Sequence, residues 1–307
     1  MIDHRAVRSE LSDAEKVRYR SAIRYAATRR NVKMLTSAIL FEAAEAALAD
    51  ETSATEGHIG ILPGTMNPVH YGHLSASLAA VLTNHLNLVL LAGGGIPPDK
   101  PYSAEFGFRR EMIEIALRNE RGLGNWLKMT TIRQQMAEMF SEDSHARLLA
   151  GDNDMTRRTM MDLAAFVWLF VANPNVQWTY IVGSDKIASY GKKGEFALIV
   201  ETLGHRKVES QVLYYLRAGQ DIDVNRDIVP FDWLLKKWKS GFFKQSQLPS
   251  CELSASEIRL AIVDGRHRHG INLTSCLPIG ILEYIRNNND LLASYARQIE
   301  QADSRKG

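Results

Sequence analysis

Cysteine is nearly absent from this chain. There are 2 in 307 residues, Cys251 and Cys276, and they lack C-x-x-C spacing. That argues against a disulfide framework and against a thiolate zinc site, and for a reduced, cytoplasmic compartment. Long apolar runs are missing as well. No stretch reaches the roughly 18–20 residues that a membrane span needs, and Met1 to Asp13 contains no apolar core of a secretion signal. Charge of one sign is not in excess: 37 Lys and Arg against 35 Asp and Glu leave a net charge of +2. No chain-wide field therefore attracts nucleic acid, and neither a nucleic-acid nor a membrane partner is expected. Internal repeats and long low-complexity segments are also lacking. What remains is a chain with 45% hydrophobic residues, long enough for one large domain or a domain with an extension.

The order of elements begins with a helical stretch. Ser12-Asp13-Ala14-Glu15 has the form of a capping box. The helical pattern behind it runs to about Leu48, first rich in arginine, then in alanine. Glu51 to Gly57 is small and polar and reads as a linker. Residues 1–56 are thus a helical N-terminal extension, read as a packing or dimerisation element, and a homo-oligomer is the expected assembly. From Gly57 strands and helices alternate: strand 58–62, helix 73–86, strand 87–92, helix 104–118, a weaker strand at 126–131, helix 156–171 and strand 178–182. Apolar strands alternating with helices imply an α/β fold, a Rossmann-like parallel sheet covered on both faces. We expect this domain to span 57–290 and a helical tail to span 291–307. In such a sheet, ligands bind beyond the strand C-termini at the switch point.

Two strings stand at such places. Gly64-Thr65-Met66-Asn67-Pro68-Val69-His70-Tyr71-Gly72-His73 follows the first strand and opens a helix. Helix N-termini offer unpaired N–H groups and the positive end of the macrodipole, so this layout suits a phosphate. Gly64 allows close backbone approach. His70 and His73 are three apart and share a helical face. An H-x-x-H pair alone is commonly a surface or core feature; the whole string is far more restrictive. Gly183-Ser184-Asp185 ends the 178–182 strand, where Asp185 either meets a ligand or caps the next helix. Further on, Leu253-Ser254-Ala255-Ser256-Glu257-Ile258-Arg259 reads as another helix start, with Ser254 as N-cap and Glu257 completing a capping box.

Gly64 to His73 resembles the signature of the HIGH-motif nucleotidylyltransferases, and most of all the G-G-T-F-N-P-x-H-x-G-H of nicotinate/nicotinamide mononucleotide adenylyltransferases. Pro63 stands at the first glycine and Met66 at the aromatic. The 253–259 string is similar to the family's I-S-S-T-x-I-R, with Ser256 for Thr and Arg259 on the family arginine. Gly183-Ser184-Asp185 resembles its G-A-D. Gly93 to Lys100 resembles its P-P-H-K segment, with Asp99 for histidine, and Arg109-Arg110-Glu111-Met112 its R-x-x-M. The glycines at 93–95 would let a ligand approach the backbone, with Lys100 and Arg109 as phosphate contacts. Met155 to Met160 is a weaker likeness to Y-T-x-x-T-L, read equally as helix capping or substrate contact. The tryptophan that relatives carry eight to ten residues past the G-A-D aspartate is missing; Tyr190 is the nearby aromatic. The segment 205–248 looks longer than usual. Its run from Lys236 to Lys244 mixes lysines and aromatics, as nucleic-acid and phosphate sites do, but reads more readily as a solvated lid or partner surface. Leu277 to Ile285 resembles the family's closing structural element.

The resemblance implies transfer of the adenylyl group of ATP to the phosphate of nicotinate or nicotinamide mononucleotide, releasing pyrophosphate, in NAD biosynthesis. His70, His73 and Arg259 would be the catalytic residues. Gly64, Thr65, Met66, Asn67, Lys100, Arg109, Gly183, Asp185, Ser254 and Ser256 would bind nucleotide. Mg²⁺ would arrive on the ATP, with no protein metal site. The partners would be ATP and a small phosphorylated substrate. Two alternatives stay open. One is another transferase of the superfamily, acting on pantetheine phosphate or transferring CMP. The other is a nucleotide-binding regulator without turnover. A class I aminoacyl-tRNA synthetase fragment lacks support, because the chain has no K-M-S-K-S string.

Overall fold

The structure, a computed structural model, describes residues 6–48, 51–94, 103–151, 154–185, 187, 202, 211–216, 222–248, 253–265 and 271–304. Its centre is a six-stranded sheet in the order β3-β2-β1-β4-β5-β6, parallel throughout. The strands are β1 Gly57–Gly64, β2 Leu88–Gly93, β3 Leu127–Thr130, β4 Val176–Gly183, β5 Gln211–Tyr215 and β6 Phe243–Gln245. The chain winds outward in one direction through β2 and β3, then crosses back to β4. The switch point therefore lies between β1 and β4, which pair from Gly57 opposite Val176 to Ile61 opposite Tyr180.

The two faces of the sheet carry separate cores, and the period of two in each strand assigns the residues. Leu88, Leu90 and Ala92 of β2 face one side with Ile59 and Ile61; Val89 and Leu91 face the other with Leu62. The first side is covered by α1 Asp13–Arg29, α2 Ser37–Leu48, α5 Ile132–Glu142, α6 Ser144–Leu149 and α7 Asp154–Ala172. The second is covered by α3 Tyr71–Asn84, α4 Phe106–Asn119 and the C-terminal helices α9 Ala255–Asp264, α10 Leu273–Cys276, α11 Ile281–Arg286 and α12 Asn289–Ser304. From Leu163 to Ala172, α7 is buried all round, which is why that stretch is apolar without a polar stripe.

The helical N-terminal stretch is two helices, broken at 30–36. The expected capping box forms: the Ser12 hydroxyl accepts from the Glu15 amide, and the Glu15 carboxylate accepts from the Ser12 amide. Tyr19, Ile23, Ile39, Leu40 and Ala44 join the same core as β1 and β2, and the Tyr19 hydroxyl donates to the Ala164 carbonyl of α7. The arginines of this stretch are matched by acids. Arg18 pairs with Glu51, Arg20 with Glu142, Arg24 with the fully buried Asp143 carboxylate, and Arg29 and Arg30 with Glu42.

Boundaries depart from expectation in ways that bear on the site. Strand β1 continues through Pro63 and Gly64, and α3 begins at Tyr71, so the turn between them is shorter than the sequence pattern suggests. The 205–248 segment supplies two strands, β5 and β6, and a helix, α8 Asp232–Lys239. The lysine- and aromatic-rich run is therefore an edge of the sheet, not a solvated lid. Trp238 sits 5.6 Å from Tyr214 and 5.7 Å from Phe243, ring centre to ring centre. Among the described residues no helix is long and apolar enough to cross a membrane.

Candidate active site

The site starts from the direction of the elements. All strands are parallel, so their C-terminal ends lie on one edge of the sheet, and the helices that follow them begin there. Along that edge opens a cleft of about 270 Å³. It is lined by Gly64 to Asn67, His70 and His73, by Gly183 at the end of β4 and Asp185 just past it, and by the N-cap Ser254 with Ser256 and Arg259 of α9. The string that ends at His73 is thus brought together with strings that begin 110 and 181 residues further on, at Gly183 and Ser254.

His70 is the N-cap of α3, in extended conformation, and its Nδ1 accepts from the Gly72 amide at 3.1 Å. The His73 Nδ1 accepts from the His70 amide at 3.4 Å. Two histidines thus play the parts that serine and glutamate play in an ordinary capping box. The consequence is chemical: with both Nδ1 atoms accepting, the neutral rings carry their protons on Nε2. The rings lie 3.9 Å apart and tilted by 36°. The Nε2 of His73 faces Gly64, 3.9 Å from where a Cβ on that residue would stand. A donor, a bare strand end and a helix N-terminus therefore meet at one place.

Between β1 and α3 the backbone is unusual. Met66 has φ of 52°, the left-handed region, although it is not glycine. Holding it there costs on the order of 1–3 kcal/mol, an outlay the surroundings must offset. They do so through Arg259, which donates from Nη1 to the Asn67 carbonyl and from Nη2 to the Ser256 hydroxyl at 3.0 Å. Burial lowers the Arg259 pKa, with Tyr295 acting in the other direction. Asn67 donates to Gln298 at 3.2 Å. Ser254 is the N-cap of α9 but makes no side-chain cap bond, so the expected capping box with Glu257 does not form.

Two expectations shift. Arg109 is fully buried and does not line the cleft. Its guanidinium donates to the carbonyls of Ala104 and Thr65 at 2.8 Å and of Gly94 at 3.2 Å. Burial, helped by nearby Arg133, lowers its pKa to about 10. Arg109 thus ties the loops behind the cleft. Gly94 admits a neighbour, but the neighbour is protein: a Cβ there would lie 2.5 Å from the Arg133 Cβ. Lys100, with Gly95 to Asp99, lies outside the described residues, as does Tyr190.

The sequence reading passed over Arg133, Arg158 and Asp162, which also line the cleft. Arg133 forms a two-pronged ion pair with Asp162, at 2.6 and 3.0 Å. A signal for it existed. Arg133 stands just past the end of β3, at the same edge as Gly64 and Gly183, but no familiar string marks it. Arg158 lay inside the weak Met155 to Met160 likeness, whose threonines drew attention instead.

No family model matches the chain. It is similar to the probable nicotinate-nucleotide adenylyltransferase of Klebsiella pneumoniae, 24% identical over 232 residues, covering 74% of this chain and 93% of the relative. It is also similar to the protein of that name from Geobacter sp. strain M21, 32% identical over 143 residues, 46% of this chain and 55% of the relative. In fold it resembles the Plasmodium falciparum nicotinic acid mononucleotide adenylyltransferase complexed with NaAD, with a TM-score of 0.50 and 16% identity over 75% of this chain and 95% of that one.

Proposed function

We propose that this chain, a nucleotidylyltransferase close to the nicotinate-nucleotide adenylyltransferases in sequence and fold, transfers the adenylyl group of ATP to the phosphate of a pyridine mononucleotide, with release of pyrophosphate. One observation carries the reading: the cleft at the C-terminal ends of β1 and β4 gathers Gly64–Asn67, His70, His73, Ser256 and Arg259 around a single volume.

The chemistry fits those residues. An oxygen of the acceptor phosphate attacks the α-phosphorus of ATP; that P–O bond forms as the bond to pyrophosphate breaks. Such a transfer needs alignment and charge stabilisation, with no covalent enzyme intermediate. Two helix N-termini, those of α3 and α9, open on the cleft and favour negative charge. The Nε2–H groups of His70 and His73 supply donors for phosphate oxygens near the reacting centre. Ser256 accepts from Arg259, which leaves its hydroxyl proton to donate to the departing pyrophosphate beside the Arg259 charge. Asp185, just past the end of β4, lines the same cleft and would meet the nucleotide there. Mg²⁺ carried on the nucleotide would supply positive charge against the phosphates. Among the described residues no group of three His, Cys, Asp or Glu is placed to cage it, and Asp162, a carboxylate in the cleft, is held by Arg133.

We assign the protein to the cytoplasm on the sequence grounds above. The expected homo-oligomer remains part of this proposal on the sequence grounds above.

The test is pyrophosphate release with ATP and Mg²⁺ against nicotinate mononucleotide, nicotinamide mononucleotide, phosphopantetheine and no acceptor. Release with a pyridine mononucleotide alone is expected. Release with phosphopantetheine alone, or ATP binding with no release for any acceptor, overturns the assignment.

A further inference from the structure

The C-terminal end of a parallel strand presents carbonyl oxygens, which have the wrong sign for a phosphate. In this protein two buried guanidiniums take up those oxygens. Arg109 holds Thr65 and Gly94, as described. Arg133, 7% exposed, donates from Nη1 to the Ala92 carbonyl of β2 at 2.9 Å and to the Gly64 carbonyl of β1 at 3.4 Å, while its other nitrogens grip Asp162 of α7. One side chain therefore joins the ends of two strands to α7, whose Asp162 also lines the cleft.

Arg133 is itself held from behind. It is the second residue of α5, and residues 8–11 brace the turn that starts this helix. Thr130 donates its hydroxyl to the Ser9 carbonyl, and the Thr131 amide reaches the Glu10 carboxylate at 3.4 Å. The Leu11 amide donates to the Gln135 side chain at 2.9 Å. The same strap is fixed to the end of α7: Asn173, fully buried, accepts from the Arg8 amide at 3.0 Å and donates to the Arg8 carbonyl at 2.8 Å.

We infer that Arg133 is a positioning residue for the phosphate loop, setting the ends of β1 and β2 against α7, and that residues 8–11 hold it in register. The N-terminal segment then acts on the cleft without touching a substrate. Lysine cannot replace Arg133, because a single ammonium cannot grip a carboxylate with two prongs and reach two carbonyls as well. The inference rests on the adenylyl-transfer reading for its kinetic arm and on structure alone for its second arm.

The test compares wild type with Arg133→Ala, Asp162→Asn and the more distant Gln135→Ala. Misplacing a reacting group by about 1 Å costs on the order of 100-fold in rate. Arg133→Ala should therefore lose about 100-fold in kcat while KM for ATP stays within about threefold, and added methylguanidine should restore part of the rate. Asp162→Asn and Gln135→Ala should fall between it and wild type. A folded Arg133→Ala with wild-type kcat overturns the inference; so does a loss that follows the folded fraction and ignores methylguanidine. The second arm needs no turnover: amide and imidazole NMR signals of Gly64, Thr65 and His73 in substrate-free protein should move in Arg133→Ala and in Asp162→Asn. Signals coincident with wild type overturn the inference even if the adenylyl-transfer reading stands. Shifted signals uphold it even if no acceptor is turned over.

Discussion

The two ends of the sheet both carry histidine and positive charge, yet they are built for opposite purposes. At the C-terminal end, helices begin: His70 and His73 cap α3 through Nδ1 and keep Nε2–H as a donor. At the N-terminal end, α3 finishes, and a hollow there is lined by His58, Asn84, His85, Gln177, Gln211 and Lys244. The His58 Nε2 lies 2.6 Å from the buried Thr179 hydroxyl, which also accepts from Gln211 at 3.1 Å, and the ring bonds to the Asn84 backbone. Burial, with Lys244 and His85 nearby, lowers the His58 pKa to about 4. The carbonyl end of a helix repels an anion, and a neutral, fully engaged imidazole offers it nothing. Residue type alone does not make a phosphate site; helix direction decides the sign.

Breaking the C-terminal end should cost activity. Arg259→Met removes the charge beside the leaving group and the tie to the Asn67 carbonyl. The expected loss is about 100- to 1000-fold in kcat, as for other single donors at a developing charge, and steady-state pyrophosphate release reads it. A smaller change is Gly64→Ala. The new methyl would lie 2.9 Å from the flexible end of Met66 and in front of the His73 Nε2. KM for ATP should rise about tenfold, roughly the 1.4 kcal/mol that one decade represents, with little change in heat stability.

Breaking the N-terminal end should cost stability instead. Thr179→Val deprives His58 and Gln211 of their shared partner, and unfolding in urea should show a loss of about 1–3 kcal/mol with kcat unchanged. The smallest effect is a slope. The folded-state pKa of His58, about 4, lies below the 6.5 of the free side chain. The unfolded chain therefore binds more protons between those values, and stability rises with pH across that window. The contribution is complete above pH 6.5 and disappears as pH falls towards 4. Denaturation midpoints from pH 4 to 7 should show a shallower slope in His58→Gln than in wild type.

The fold was legible because its signals are local and repeated. Strands such as Leu88 to Gly93 are apolar on both faces, and each leads into a turn and a helix. The loop proposed to hold phosphate was legible because a strand end, glycine, asparagine-proline and two histidines fall within one decapeptide. What stayed hidden depends on distance. β5 and β6 went unread because Gln211–Tyr215 and Phe243–Gln245 are short and stand among charged residues; their partners in the sheet define them. Arg109 matched a motif but its surroundings, three carbonyls, show in space alone. Arg133 and Asp162 are 29 residues apart and meet because α5 and α7 lie side by side. The arginines of residues 18–30 showed in sequence only as the basic half of the N-terminal extension; the acids opposite them, Glu42, Glu51, Glu142 and Asp143, show in space alone.

The most direct test of the account is a matched pair of histidine variants. ATP labelled at the α-phosphate is mixed with nicotinate mononucleotide and Mg²⁺, and label in the dinucleotide product is followed in wild type, His73→Ala and His58→Ala. The account expects label to reach the dinucleotide in wild type, a fall of about 100-fold or more in His73→Ala, and a rate within about twofold of wild type in His58→Ala, outside the range of a lost catalytic donor. No labelled dinucleotide in wild type, or equal losses in the two variants, would contradict it.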